Sequence, residues 1–188
     1  MAEIPMYRSL LFMDAFEKET GNLNVIIETP KNSRNKYKYT PSVDIFKVDS
    51  SLQAGASFPF DFGFIPSTKG EDGDPLDILV LMDQSAYTGS LVPTRLIGVI
   101  EAKQSEEKGK IERNDRLIGV FAKSHDYNDV KSLHQLNKNL LGEIQFFFET
   151  YNRYKGREFK ALGHYGPRQA LKLVKQGIKN FNENKNEV

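Results

Sequence analysis

The hydrophobic pattern of this chain changes period part-way along, and that change leaves few architectures open. From about residue 23 to 122 the apolar residues come in short runs or alternate, as strands require. From residue 129 onward they recur at three- and four-residue intervals, as on one face of a helix. Residues 23–28 form an apolar run ended by Pro30, and 78–82 is continuously apolar, as expected of a strand covered on both sides. Strands at 91–102 and 117–122 follow, joined by a charged loop, 103–116, carrying Gly109. Val43, Ile45 and Val48 begin another strand, although Phe46 breaks strict alternation. Phe58, Phe60, Phe62 and Phe64 alternate through 57–66 and give that extended segment one apolar face.

The helical part has Leu133, Leu136, Leu140, Ile144, Phe147, Phe148 and Tyr151 on one face, predicting a helix over 129–152 with Gly156 as its terminator. A second helix is expected to start at Pro167, with Leu171, Val174, Ile178 and Phe181 on one side. Residues 1–22 mix Tyr7, Leu10, Leu11, Phe12 and Phe16 with charge and read as a short helix. Strands followed by helices argue an α+β fold. At 188 residues one domain is expected: an N-terminal segment 1–22, a β-rich core 23–122 and two C-terminal helices within 129–183.

Composition removes several functions. Lys and Arg number 26 against 25 Asp and Glu, and a net charge of +1 recommends neither nucleic acid nor an anionic membrane as partner. The absence of cysteine excludes disulfides, thiolate catalysis and cysteine-bound zinc. The apolar run 10–13 is too short for a secretory leader, and no segment approaches the ~20 apolar residues of a membrane span, so a cytoplasmic protein is expected.

Chemistry concentrates at Gly-Glu-Asp-Gly-Asp-Pro-Leu-Asp, residues 70–77. Asp72, Asp74 and Asp77 crowd three carboxylates at the mouth of the 78–82 strand. Like charges ~5 Å apart repel by roughly 3 kcal/mol per pair at an effective dielectric near 20. Converging them needs a compensating cation, and oxygen ligands favour Mg²⁺ or Ca²⁺. Gly73 and Pro75 make a tight turn there, with Pro75 pushing Asp74 out of helical geometry. A solvated acidic turn would read the same way; the apolar strand behind it favours a metal site. An EF-hand is excluded, since counting from Asp72 puts Leu76 at position 5, Asp77 at 6 and Asp83 at 12. His125, His134 and His164 have no metal-ligand spacing, and neither a Gly-x-Ser-x-Gly elbow nor a glycine-rich phosphate loop occurs.

Asp-Gly-Asp-Pro-Leu-Asp-Ile at 72–78 resembles the signature of the soluble family I inorganic pyrophosphatases. The likeness extends over most of the chain, from Ile-Ile-Glu-Thr-Pro at 26–30, through Lys36-Tyr37 and 58–66, to Phe-Phe-Glu-Thr-Tyr at 147–151. The resemblance implies an oligonucleotide-binding-like, five-stranded β-barrel with flanking helices. It also implies hydrolysis of pyrophosphate to phosphate with Mg²⁺, Mn²⁺ being an alternative, by a homo-oligomer. Carried over, Asp72, Asp74 and Asp77 are metal-binding aspartates, with Asp74 in the place of the general base. Glu28, Lys36, Arg116 and Tyr151 fall at substrate-binding positions, Arg116 standing where the family has lysine.

The chain also departs from that pattern. Lys38 stands where the family has glutamate, Ser50 where it has arginine, and Phe58 and Phe62 where it has tyrosines. Gln104 and Asn114 stand at aspartate positions, and Asn152 at that of a lysine. Acidic residues of the following loop, Glu106, Glu107, Glu112 and Asp115, are candidate substitute ligands. These departures keep two alternatives open: a hydrolase for another phosphorylated small molecule, and a catalytically impaired metal- and phosphate-binding regulatory homologue.

Overall fold

A computed structural model describes residues 9–105 and 110–185. Five strands close on themselves: β1 (Leu23–Thr29), β4 (Asp61–Ile65), β5 (Leu76–Leu81), β8 (Arg116–Phe121) and β6 (Leu91–Ser105). β1 pairs with β4, β4 with β5, β5 with β8, β8 with β6, and β6 again with β1. The β5–β8 pair is parallel and the rest are antiparallel. Closure removes the free edges that such apolar strands would otherwise expose. This is the five-stranded barrel that the resemblance implied.

The continuous apolar runs have the expected cause. Leu79, Leu81, Ile118 and Val120 join one core cluster, beneath the helix α1 (Lys138–Tyr154), while Ile78, Val80 and Leu117 join another, beneath α2 (Pro167–Lys185). Phe58, Phe60, Phe62 and Phe64 are all buried. At Gly63, opposite Ile27 on β1, an added Cβ would lie 2.0 Å from the Ile26 carbonyl oxygen, so only glycine lets β1 and β4 approach this closely.

Two strands pair only with each other, apart from the sheet that forms the ring. β2 (Asn35–Thr40) and β3 (Ile45–Ser51) make a separate hairpin, with Val43, Ile45 and Val48 exposed rather than facing a core. It leans on the barrel through Tyr39, whose ring lies 5.9 Å from that of Phe64. The expected 103–116 loop is largely strand instead: β6 runs on to Ser105, and β7 (Ile111–Arg113) pairs back on it. Gly109, Glu106 and Glu107 lie outside the described residues.

The helices differ from expectation at their starts and in what separates them. Ser132 and Gln135 form a reciprocal capping box, but it opens only a 3₁₀ turn, Leu133–Gln135; Asn137 then caps α1 afresh. Leu133 and Leu136 are buried yet precede the helix, which begins nine residues later than position 129. Gly156, at φ +72°, ends it as expected. Between the helices lies β9 (Phe159–Tyr165), an unforeseen strand paired with the far half of β6. α2 begins at Pro167 as expected, but it buries Ala170 and Val174 and leaves Leu171 exposed. In the N-terminal segment the described residues hold a 3₁₀ turn, Leu10–Phe12, in place of a short helix.

Candidate active site

The acidic turn folds as its glycine and proline suggest. Gly73 takes φ +87°, the Gly70 N–H donates to the Asp74 carbonyl at 2.8 Å, and the Asp74 N–H donates to Asp72 Oδ1 at 3.1 Å. Asp77 follows on β5, opposite Phe64 of β4. Glu28 is delivered by an irregularity in β1: register with β4 passes from Ile27–Gly63 to Thr29–Phe62, leaving Glu28 as the extra residue of a bulge. A second bulge does the same on the hairpin, where Lys36 pairs with Ser50 and Tyr37 with Val48, leaving Asp49 as the extra residue.

Glu28, Lys36, Asp72, Asp74, Asp77, Arg116 and Tyr151, the seven residues singled out from sequence, all line one cleft of about 620 Å³. Lys38, Phe62, Gln104, Glu112, Asn114 and Asn152 line it too. Ser50 and Phe58 do not: the Ser50 hydroxyl donates to Asp49, and Phe58 packs on Phe147 at 5.2 Å. Asp115 is engaged elsewhere, accepting from Arg113 Nε at 2.6 Å and from the Ala102 N–H at 2.9 Å.

Within the cleft the carboxylates do not gather around one point. Lys38 Nζ donates to Asp74 Oδ2 at 2.8 Å, and Arg116 Nη1 donates to Asp77 Oδ2 at 2.6 Å and also to Asn114 Oδ1. Asn114 in turn donates to Gln104 Oε1 at 3.4 Å. Two of the three aspartates are thus neutralised by side chains of the chain itself. Asp72 has no ion-pair partner among the described residues. Burial, and next the Asp77 charge, push its carboxyl up to about 6. Its side chain also reaches solvent at the rim, and screening keeps the consequence for stability small.

Glu28 is pushed up to about 7, chiefly by burial, against the Tyr39 N–H that stabilises its charge and with the Asp77 carboxylate adding to the rise. For Lys38 burial opposes the charge, but the hydrogen bond and charge of Asp74 outweigh it and hold the pKa above the usual lysine value. The Tyr151 phenol oxygen is buried without a hydrogen-bond partner, an acceptor and donor left over for something that enters the cleft. Lys36 Nζ stands 5.9 Å and Lys155 Nζ 4.8 Å from the Tyr151 ring centre.

Asp49, Lys155 and Arg157 also line the cleft and were not foreseen. Lys155 had a signal, standing four residues after Tyr151 at the end of the same helix, where side chains share a face. Asp49 had none, because its position depends on the bulge.

A sequence profile described as inorganic pyrophosphatase matches residues 25–182. The chain belongs to the inorganic pyrophosphatase family. The inorganic pyrophosphatase of Synechocystis sp. is 34% identical over 165 residues, covering 88% of this chain and 95% of that protein. That of Thermus thermophilus is 35% identical over 168 residues, covering 88% and 93%. The crystal structure of an inorganic pyrophosphatase from Thermus thermophilus superposes with a TM-score of 0.84 at 33% identity, covering 93% of this chain and 99% of that one. The Helicobacter pylori inorganic pyrophosphatase structure gives 0.76 at 31% identity, covering 95% and 99%.

Membership implies a divalent metal, and the cleft fits that requirement only in reduced form. Among the described residues no three His, Asp or Glu side chains come together to hold an ion. The Asn114 amide accepts from Arg116 and donates to Gln104, and neither amide carries charge to balance further ions. Asp72 and Asp77 would suit one divalent ion arriving with phosphate oxygens, since a hard cation can be held by one or two carboxylates plus phosphate oxygens. No helix among the described residues is long and apolar enough to cross a membrane.

Proposed function

We propose that this chain hydrolyses pyrophosphate to two phosphates with Mg²⁺, Mn²⁺ being able to replace it, as a cytoplasmic homo-oligomer. The observation that carries this reading is the meeting of Glu28, Lys36, Asp72, Asp74, Asp77, Arg116 and Tyr151 in one cleft of a family member. Lys36 and Arg116 supply charge to phosphate oxygens, and the unpartnered Tyr151 hydroxyl supplies a donor. Asp72 and Asp77 would hold the divalent ion, which when bound lowers the pKa of water and offsets charge on phosphate.

Asp74 has the base's part. Its Oδ2 holds Lys38, while Oδ1 has no partner among the described residues and is open to a proton. Water oxygen attacks one phosphorus, the bond to the bridging oxygen breaks, and the departing phosphate carries away that electron pair. The proton released by the water goes to Asp74 Oδ1. Phosphate release from magnesium pyrophosphate, measured beside Asp74→Asn, tests the reading. A rate at least a hundredfold above the variant is expected, on the scale of losing one essential group. Equal background rates in the two proteins would overturn it.

A second reading has its own support in the Lys38–Asp74 pair, which occupies the base with an ammonium group. In that reading the protein binds phosphate compounds without turnover and acts as a regulatory homologue. Pyrophosphate binding with no phosphate release in either protein would favour it.

A further inference from the structure

We propose that Lys38 is a resident cation of this cleft, holding beside Asp74 a place that a divalent ion would otherwise take and helping to bind pyrophosphate in the absence of metal. The inference rests on the reading of the cleft as a pyrophosphate site, and it concerns what balances charge there. Six carboxylates, Glu28, Asp49, Asp72, Asp74, Asp77 and Glu112, face five cations, Lys36, Lys38, Arg116, Lys155 and Arg157, around the same volume. Lys36 and Lys38 are two apart on β2, so both project from one face of the hairpin into the cleft.

The Lys38 ammonium reaches Asp74 at 2.8 Å across 36 positions of sequence, from a hairpin held against the barrel by Tyr39. An exposed lysine commonly leaves its charge in water; this one crosses from one sheet to the acidic turn of another. Arg116 pairs with Asp77 within the barrel itself, from β8 to the neighbouring β5. With both aspartates paired, too few ligating groups remain together for a cage of ions, in keeping with the lack of any three-residue acidic or histidine group among the described residues.

A lysine is not equivalent to a divalent ion. It carries one charge, donates hydrogen bonds instead of coordinating, and leaves the acidity of a nearby water unchanged. The cleft should therefore bind pyrophosphate without metal while depending on a single ion for chemistry. Removing the ammonium frees Asp74 for metal, and replacing it with a carboxylate adds a ligand.

Calorimetric titration of Mg²⁺ into metal-free protein, without pyrophosphate, compares the wild type with Lys38→Met, Lys38→Glu and Lys38→Arg. Mg²⁺ affinity is expected to rise at least tenfold in Lys38→Glu and severalfold in Lys38→Met, and to stay at the wild-type level in Lys38→Arg. In buffer containing chelator, pyrophosphate affinity should fall at least tenfold in Lys38→Met and be retained in Lys38→Arg. Equal Mg²⁺ affinity and stoichiometry in all four proteins would overturn the proposal, as would unchanged pyrophosphate binding in Lys38→Met. The Lys38 side chain is half exposed, so Lys38→Met and Lys38→Arg are expected to fold, and they decide the matter even if Lys38→Glu does not. None of these readouts involves turnover. A wild type that binds as expected but releases no phosphate would overturn the hydrolytic reading and leave this one standing.

Discussion

The backbone N–H of Tyr39 donates to Glu28 Oε1 at 2.7 Å, tying the bulge of a barrel strand to the hairpin that carries Lys36 and Lys38. The bond does two things. It satisfies a buried carboxylate that would otherwise have little compensation, and it fixes the height at which the two lysines enter the cleft. The Tyr39 ring, packed between Phe46 and Phe64, keeps the strand in place. The placement of the two lysines in this cleft therefore depends on side-chain contacts between two sheets that, among the described residues, share no backbone ladder.

Glu28 gives the first prediction. Its carboxyl is pushed up to about 7 from an ordinary value of 4.5, so the native state holds that proton more tightly than the unfolded chain. Its contribution to stability is then full below about pH 4.5, falls as pH rises towards 7, and stays low above that. Glu28→Gln removes the charge while keeping an oxygen for Tyr39. The variant should be more stable than the wild type at pH 8, by no more than about 3 kcal/mol. The two should match near pH 4. Urea unfolding at both values checks this, and an equal difference at the two would show that Glu28 does not titrate as described.

The unpartnered Tyr151 hydroxyl predicts effects of opposite sign on stability and binding. An unmatched buried polar group costs about 1–3 kcal/mol. Tyr151→Phe should leave the ligand-free protein as stable as the wild type or up to about 1 kcal/mol more stable. The same change should weaken pyrophosphate binding by roughly tenfold, the scale of one hydrogen bond to a charged group. Melting curves without ligand and calorimetry with pyrophosphate supply both numbers. A loss of stability would mean that the hydroxyl has a partner in the resting protein.

How much of this could be read in the chain depended on how local each signal was. Residues 78–82 are apolar without interruption because β5 is covered on both faces, and Gly73 with Pro75 marked the acidic turn through its own backbone chemistry. The cleft residues could be named because their spacing resembles a family's. β2 was missed because Asn-Lys-Tyr-Lys-Tyr-Thr carries little apolar patterning, and its partner is another exposed strand. β9 was missed because Phe159–Tyr165 is stabilised by pairing with β6, more than fifty residues earlier. Leu133 and Leu136 kept a helical spacing only because a 3₁₀ turn places them on the core side just ahead of α1. The Lys38–Asp74 and Arg116–Asp77 pairs join positions 36 and 39 residues apart, and no local rule reports them.

Two glycines offer a contrast in packing. An added methyl at Gly63 would meet the Ile26 backbone, which no side-chain rotation can move aside. Gly63→Ala should therefore cost more than about 3 kcal/mol or prevent folding. Gly142 lies inside α1 with nothing within 4 Å of the added carbon. Gly142→Ala should stabilise the protein by about 1 kcal/mol, the difference in helix preference. Urea midpoints of the two variants, with soluble yield for the first, test both. A tolerated Gly63→Ala would contradict the close β1–β4 approach.

Arg116 links stability to metal binding. It is 5% exposed, its guanidinium lies 5.0 Å from the centre of the Phe148 ring, and it donates to Asp77. Arg116→Met keeps much of the volume but leaves Asp77 without its cation. Breaking a largely buried pair from one side commonly costs about 3–5 kcal/mol, and the partial exposure of Asp77 places the expectation near the low end. Adding Asp77→Asn should recover part of the loss, because the stranded charge is gone. Mg²⁺ should raise the melting temperature of Arg116→Met more than that of the wild type, since a freed Asp77 beside Asp72 offers the ion a better site. It should do nothing extra for the double variant. Equal Mg²⁺ effects in all three proteins would mean that Arg116 does not compete with metal for Asp77.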